Sequence, residues 1–181
     1  MMKYIGKNFA IEGVKIRELA RKFKTPTYCY SYQKLSENIS KFKKNFKNLN
    51  PLICFSVKAN ANLKLLKELK KFGLGADVVS IGELAKALKA GIHTKKIVFS
   101  GVGKTQEELS FAIKKKILLI NAESKSEILE IENIARSKRM IVDIGIRLNP
   151  NTDAKTLSQI STGKKQDKFG VSEKYFLELV E

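Results

Sequence analysis

The stretch Pro51-Leu52-Ile53-Cys54-Phe55-Ser56-Val57-Lys58-Ala59-Asn60 decides how the rest of the chain is interpreted. Its apolar part, residues 52–57, is too short for an independent helix and has the composition of a buried strand. Lys58 follows where that strand would end. Burial of an ammonium group lowers its pKa toward the range in which the free amine attacks carbonyl groups. Because most lysines are solvated surface residues, the case for Lys58 as a catalytic residue depends on its surroundings.

The sequence after this stretch alternates between strand and helix patterns. Strands are predicted at residues 52–57, 76–79, 96–99, 117–121 and 140–148. The helices between them have caps at Asn62, Ser80, Thr105 and Ser124, and each of the last three caps is followed three residues later by glutamate, as in a capping box. Strands that alternate with helices through short connections indicate parallel βα units, either in an open doubly wound sheet or in a (β/α)8 barrel.

Two loops help to choose between these architectures. No G-x-G-x-x-G pattern follows the first predicted strand, so a dinucleotide-binding sheet is less favoured. Residues 100–105, Ser-Gly-Val-Gly-Lys-Thr, end like a phosphate-binding P-loop but lack its first glycine at the required spacing, so a P-loop is rejected.

The polar residues 151–166 have no apolar period, and a loop of this length usually has a function. A last helix is predicted from about Ser172 to Glu181.

The beginning of the chain is less regular. Residues 1–26 are interpreted as an N-terminal lead-in and residues 27–181 as the main domain. The elements predicted here are a strand near Tyr4 or at residues 9–11, helices at residues 14–23 and 32–46, and a strand or extended segment at residues 27–31.

The composition restricts the class of protein. Lys and Arg number 35 against 18 Asp and Glu, a formal charge of +17. Nucleic-acid binding is still not favoured, because the lysines are spread along the chain and form no cluster with aromatic residues. No apolar run approaches the roughly 20 residues that span a membrane, and no secretion signal is visible, so a cytoplasmic protein is expected. Cys29 and Cys54 lie in apolar runs and are expected to be buried thiols, with no metal site.

Several motifs, in order and at matching spacing, resemble the fold-type III pyridoxal-phosphate-dependent decarboxylases that act on ornithine, lysine, arginine or diaminopimelate. The likeness extends from residue 25 to residue 170. The motifs that carry it are Phe55-Ser56-Val57-Lys58-Ala59-Asn60-Ala61-Asn62-Leu63, residues 74–84, residues 97–105, Arg147-Leu148-Asn149-Pro150-Asn151-Thr152-Asp153-Ala154-Lys155-Thr156, Ile160-Ser161-Thr162-Gly163 and Lys168-Phe169-Gly170.

The resemblance implies an α/β fold, a partial alanine-racemase-like (β/α)8 TIM barrel. Such a barrel needs eight strands and about 250 residues, whereas five strands are predicted here. The expectation is therefore an N-terminal fragment with about the first five βα units, without the C-terminal β domain of the family and inactive alone. The resemblance also implies a homodimer for the complete enzyme.

The resemblance assigns four residues to the site of pyridoxal 5'-phosphate. Lys58 is expected to form a Schiff base with the cofactor, and Asp77 to be a catalytic carboxylate that orients or balances the charge of Lys58. Glu83 and Arg147 are expected to bind or support the cofactor. Structural alternatives stay open, because Asp77 could be a turn residue, Glu83 a helix cap and Arg147 one half of an ion pair.

Within the family, residues 100–105 and 153–156 are most similar to the branch that decarboxylates meso-2,6-diaminopimelate to L-lysine and carbon dioxide, the last step of lysine biosynthesis. The small-molecule substrate is therefore expected to be this amino acid. The alternatives are another amino-acid decarboxylase of fold type III, of the ornithine, arginine or lysine type, and a truncated barrel without catalytic activity. One departure is Leu157, which stands where relatives commonly have histidine.

Overall fold

A computed structural model describes residues 2–152 and 169–180 of the chain. The chain divides into two compact units, Met1–Pro51 and Leu52–Glu181. The boundary placed after residue 26 on sequence grounds stays a prediction. The motif residues 153–163 and Lys168, together with Leu157, lie outside the described residues, and so does most of the predicted loop 151–166.

The first unit contains a small antiparallel sheet and two helices. Three short strands pair in the order β1-β2-β3, and α1 contacts β2 and β3. The predicted helices are confirmed, each slightly shorter than expected, whereas residues 27–31 form no strand. The elements are β1 (Met2–Ile5), β2 (Asn8–Ile11), β3 (Val14–Lys15), α1 (Ile16–Phe23) and α2 (Tyr32–Asn45).

The second unit is built around a five-stranded parallel sheet with the order β4-β5-β6-β7-β8. A helix connects each strand to the next, so the predicted alternation of five strands and four helices is confirmed. The strands are β4 (Cys54–Ser56), β5 (Gly75–Val78), β6 (Ile97–Phe99), β7 (Leu119–Ala122) and β8 (Ile144–Ile146). The helices are α3 (Leu63–Lys71), α4 (Ile81–Lys89), α5 (Gln106–Lys114), α6 (Lys125–Ser137) and, after the last strand, α7 (Glu173–Val180).

The helix starts follow the predicted caps. Asn62 Oδ1 accepts hydrogen bonds from the backbone N–H groups of Lys64 and Leu65. Thr105 and Glu108 form a complete capping box at the start of α5. These side chains satisfy backbone donors that have no partner within the first turn of a helix.

Four of the five strands of the parallel sheet are shorter than the sequence suggests, and β5 has the expected four residues. Residues 140–148 were expected to form the longest strand, but β8 covers only Ile144–Ile146. The hydrogen bonding to β7 begins where Ile120 N donates to Asp143 O. Among the described residues no strand pairs with residues 140–142, and Ile141 is 99% exposed. The apolar composition of residues 140–143 was therefore a misleading strand signal.

The two faces of the sheet differ in character. The side chains of Ala76, Val78, Ile97, Phe99 and Ile120 are completely buried. The other face, one residue out of phase, carries half-buried polar side chains near the strand ends. Because strand side chains alternate between faces, the sheet has one apolar face for a core and one polar face available for a site.

Candidate active site

Asp77 is the centre of a hydrogen-bonded group on the polar face of the sheet. Its Oδ1 accepts a hydrogen bond from Ser100 Oγ at 2.6 Å, and its Oδ2 accepts one from Ser56 Oγ at 3.3 Å. Asn121 Nδ2 in turn donates to Ser100 Oγ at 3.0 Å. The group thus joins residues in or directly after β4, β5, β6 and β7. All four side chains are near the carboxyl ends of the strands, where active sites of parallel barrels lie.

Lys58 lies at the same end of the sheet as Asp77. Ser56 pairs in register with Asp77, and Lys58 follows two residues later in the short 3-10 turn Val57–Ala59. The structure therefore places the two predicted catalytic residues on neighbouring strand ends, although the role of each stays a prediction.

The prediction that Lys58 is removed from water is wrong within the described part of the chain, where its side chain is exposed. The physical reason is the one-sided cover of the sheet. The buried apolar side chains are on the other face, whereas Lys58 follows a strand end whose neighbouring residues on the polar face are only half-buried. The described residues thus provide the position of the amine but not an apolar enclosure around it.

Glu83 is held by the turn after β5. Its Oε2 accepts a hydrogen bond from Val79 N at 2.9 Å, and its own N–H donates to Ser80 Oγ at 3.2 Å. The predicted capping box is half formed: Ser80 accepts the N–H of Glu83, but the Glu83 carboxylate reaches the residue before the cap rather than the cap itself. Glu83 therefore fixes the turn before α4, and its cofactor role stays a prediction.

Arg147 forms the ion pair that was one of its two interpretations. Its Nη1 donates to Glu123 Oε1 at 2.9 Å, and its guanidinium lies 4.8 Å from the centroid of the Phe169 ring. Glu123 Oε2 accepts a hydrogen bond from Gly170 N at 3.0 Å. Arg147 also accepts a hydrogen bond at its carbonyl from Val171 N. These contacts join the end of β8 to the described residues that precede α7.

Lys104 is a buried residue whose importance the sequence did not reveal. Its side chain is 1% exposed, and its Nζ donates to Gly101 O, Asn121 O and Glu127 Oε1 at 2.6–2.7 Å. An ammonium group with three acceptors is satisfied in a buried place. The Gly-Lys-Thr sequence that resembles the end of a P-loop therefore fastens the loop after β6 to β7 and α6.

The pKa values of two side chains in this part of the sheet, Cys54 and Glu108, are shifted. Burial, followed by the negative charge of Asp77, raises the pKa of the Cys54 thiol. Burial acts to raise the pKa of Glu108, but hydrogen bonds from the backbone N–H groups of Thr105 and Ile81 and from the Thr105 hydroxyl outweigh it and lower that pKa. The expectation that both cysteines are buried is wrong for Cys29, which is exposed in a segment that forms no strand, and Cys54 is only half-buried.

Sequence analysis missed Ser100, Asn121 and Glu123. Ser100 and Asn121 lie at or directly after the carboxyl end of a predicted strand, which is the signal that could have identified them, whereas Glu123 directly follows the observed end of β7. Among residues 2–152 and 169–180, no helix is long and apolar enough to cross a membrane.

The chain is similar to several known proteins. Residues 32–180 match the family described as pyridoxal-dependent decarboxylase, pyridoxal binding domain. Diaminopimelate decarboxylase from Helicobacter pylori (strain J99 / ATCC 700824) is 51% identical over 162 residues, which are 90% of this chain and 40% of the relative. The same enzyme from Aquifex aeolicus is 44% identical over 170 residues, 94% of this chain and 40% of the relative.

A solved structure of diaminopimelate decarboxylase from M. jannaschii, in complex with L-lysine, has a TM-score of 0.89 to this chain at 35% identity. The likeness covers 99% of this chain and 43% of that one. The five-stranded sheet is thus the first part of the barrel of that enzyme fold, as the resemblance implied. The chain spans about 40% of the length of the curated relatives it matches. The match over residues 32–180 shows that this chain belongs to the pyridoxal-dependent decarboxylases, as a member of their pyridoxal binding domain family.

Proposed function

We propose that the chain is the first part of an enzyme that decarboxylates meso-2,6-diaminopimelate to L-lysine. The observation that supports the proposal is the register of β4 and β5, in which Ser56 pairs with Asp77 and Lys58 follows two residues later at the same end of the sheet. The 51% identity to a diaminopimelate decarboxylase supports this substrate over those of other amino-acid decarboxylases. The L-lysine bound to the solved relative from M. jannaschii is the product expected of the reaction.

The residues present fit pyridoxal 5'-phosphate. A primary amine is the group that bonds to the cofactor aldehyde, and the exposed Lys58 amine is accessible at the strand end. Asp77 supplies a carboxylate on the neighbouring strand, fixed by two hydroxyl donors. When bound, the cofactor ring accepts the electrons released as carbon dioxide leaves.

The other two predicted residues would support this site from the strand ends. Glu83 fixes the turn that follows Asp77 through its hydrogen bond from Val79 N. Arg147 is held by Glu123 at the end of the fifth strand of the sheet. We propose that both act by keeping the rim of the sheet in shape around the cofactor.

We further propose that the complete enzyme is a homodimer, an expectation that rests on the family resemblance. The proposal of a cytoplasmic location rests on the lack of a long apolar run in the sequence. Light scattering of the complete enzyme tests the assembly. A molar mass of two chains is expected, and the mass of one chain would contradict the dimer.

The substrate is tested by measuring carbon dioxide release from the complete enzyme with pyridoxal phosphate. Diaminopimelate is expected to be decarboxylated at a kcat/KM at least about a hundredfold above those for ornithine, arginine and lysine, because a site built around a second polar head group discriminates strongly. Faster release from one of the other three would replace the proposed substrate. No release from any of the four would contradict the decarboxylase itself. Residues 1–181 alone are expected to release none.

A further inference from the structure

The hydrogen bonds that converge on Asp77 have a defined direction. A serine hydroxyl has one proton to donate, and an amide nitrogen can only donate. Because Ser100 Oγ accepts the N–H of Asn121 at 3.0 Å, its own proton is available for Asp77 Oδ1 at 2.6 Å. Asn121 therefore orients the hydroxyl of Ser100, and Ser100 orients the carboxylate. The hydroxyl of Ser56 donates to the other carboxylate oxygen, Asp77 Oδ2, at 3.3 Å.

The neighbouring strand β8 leaves space for the Asn121 amide. Gly145 pairs in register with Asn121, and a Cβ built on Gly145 would lie 2.5 Å from Asn121 Oδ1. A side chain at residue 145 would thus push the amide out of its place. The glycine thus leaves room on the polar face for Asn121 in the position from which it donates to Ser100.

We infer that Ser100 and Asn121 are positioning residues, which hold the Asp77 carboxylate in the orientation needed beside Lys58. This inference rests on the proposed function, since it assigns Asp77 to the cofactor site. Neither residue is proposed to touch the substrate or the cofactor. They act through the 2.6 Å hydrogen bond to Asp77, and Gly145 acts through Asn121.

The test is a double-mutant cycle on the affinity of the complete enzyme for pyridoxal phosphate, measured by absorbance titration of the apo form. Ser100→Ala is expected to raise the Kd about tenfold, as the loss of one hydrogen bond to a charged group does. Ser100→Thr keeps the hydroxyl and is expected to stay within about threefold of wild type. In an Asp77→Asn background, Ser100→Ala is expected to change the Kd less than about twofold, because residues that act through one another are not additive.

Gly145→Ala provides a second route to the same effect. It leaves Ser100 intact but displaces Asn121, and it is expected to raise the Kd by about as much as Ser100→Ala, again only when Asp77 is present. Ser137→Ala is the matched control, because it removes a 2.8 Å hydrogen bond to Ile134 O at the far end of α6. It is expected to leave the Kd unchanged. Thermal unfolding of each apo variant shows whether a change in Kd merely follows lost stability.

The outcomes separate the inference from the proposed function. Additive effects of Ser100→Ala and Asp77→Asn, or an unchanged Kd in Ser100→Ala, would overturn the positioning role while leaving the decarboxylase assignment intact. Failure of the wild-type enzyme to bind pyridoxal phosphate would contradict the proposed function and the inference with it. A loss of affinity matched by an equal loss in Ser100→Thr would also overturn the role of the hydroxyl.

Discussion

Glu123, directly after β7, and Arg147, directly after β8, form an ion pair with 2.9 Å between Oε1 and Nη1. The Glu123 side chain is 4% exposed and that of Arg147 38%. Glu123 also accepts the backbone N–H of Gly170 through its second oxygen. One buried carboxylate therefore holds together the ends of two strands and the described residues that precede α7.

Replacement of Glu123 by alanine is expected to destabilise the protein. The Arg147 guanidinium and the N–H of Gly170 both lose their acceptor. The free energy of unfolding is expected to fall by only about 2 kcal/mol, because water can reach the partly exposed guanidinium. The urea midpoint of unfolding of the complete enzyme measures it. Glu132→Ala is the matched control, since Glu132 pairs with Arg136 on the exposed surface of α6 and should cost less than about 1 kcal/mol. Equal losses in the two variants would contradict the importance of Glu123.

Gly75 is expected to tolerate no side chain. A Cβ at this position would lie 2.2 Å from Lys96 O and 2.8 Å from Cys54 Sγ, so Gly75→Ala must displace β6 or β4. A loss of stability above about 2 kcal/mol is expected. At Gly82, in the first turn of α4, the nearest atom to a Cβ is 3.8 Å away. Gly82→Ala should therefore stabilise the protein by about 0.5–1 kcal/mol. Thermal unfolding of both variants measures the two changes in stability. A Gly75→Ala protein as stable as the wild type would contradict the close packing at residue 75.

The two thiols are expected to react with iodoacetamide at very different rates. The thiolate is the reactive form, and burial together with the charge of Asp77 raises the pKa of Cys54. Less of Cys54 is therefore ionised at a given pH, while Cys29 is exposed. Mass spectrometry at pH 8 should find Cys29 alkylated first. Asp77→Asn removes one cause of the raised pKa, so Cys54 should then react faster. Preferential labelling of Cys54 in the wild-type protein would contradict the burial of this side chain.

The capping role of Glu108 predicts a dependence of stability on pH. Its pKa lies below the ordinary value of 4.5 because backbone hydrogen bonds from Thr105 and Ile81 outweigh its partial burial. A lowered folded-state pKa contributes stability above the unfolded value, and that contribution disappears as pH falls through the folded value. Glu108→Gln should therefore destabilise the protein by about 1 kcal/mol at pH 7, and the difference should shrink below pH 4.5. Unfolding midpoints from pH 7 to pH 3 measure it, and a difference that grows toward acid pH would refute the assignment.

Local signals in the sequence predicted the elements of this fold well. The caps at Asn62, Ser80, Thr105 and Ser124 begin helices as expected, because capping depends on residues only three positions apart. The alternation of apolar strands with helices likewise predicted the parallel sheet, since βα connections leave few other arrangements.

What the sequence could not provide depends on contacts between distant residues. Ser100 and Asp77 are 23 positions apart, and Glu123 and Gly170 are 47 apart, so their hydrogen bonds exist only once the strand order and register are known. The exposure of Lys58 could not be foreseen either. A strand pattern predicts where a side chain emerges, but not which other residues cover it.

Lys58 is the residue on which the proposed function depends most. The direct measurement is borohydride reduction of the complete enzyme with pyridoxal phosphate, followed by digestion and mass spectrometry of the peptide that contains residue 58. We expect the reduced cofactor on Lys58 in the wild-type enzyme and in Lys67→Ala, a variant of an exposed lysine on α3, and no labelled peptide in Lys58→Ala. Attachment to another lysine, or equal labelling of Lys58→Ala, would contradict the account.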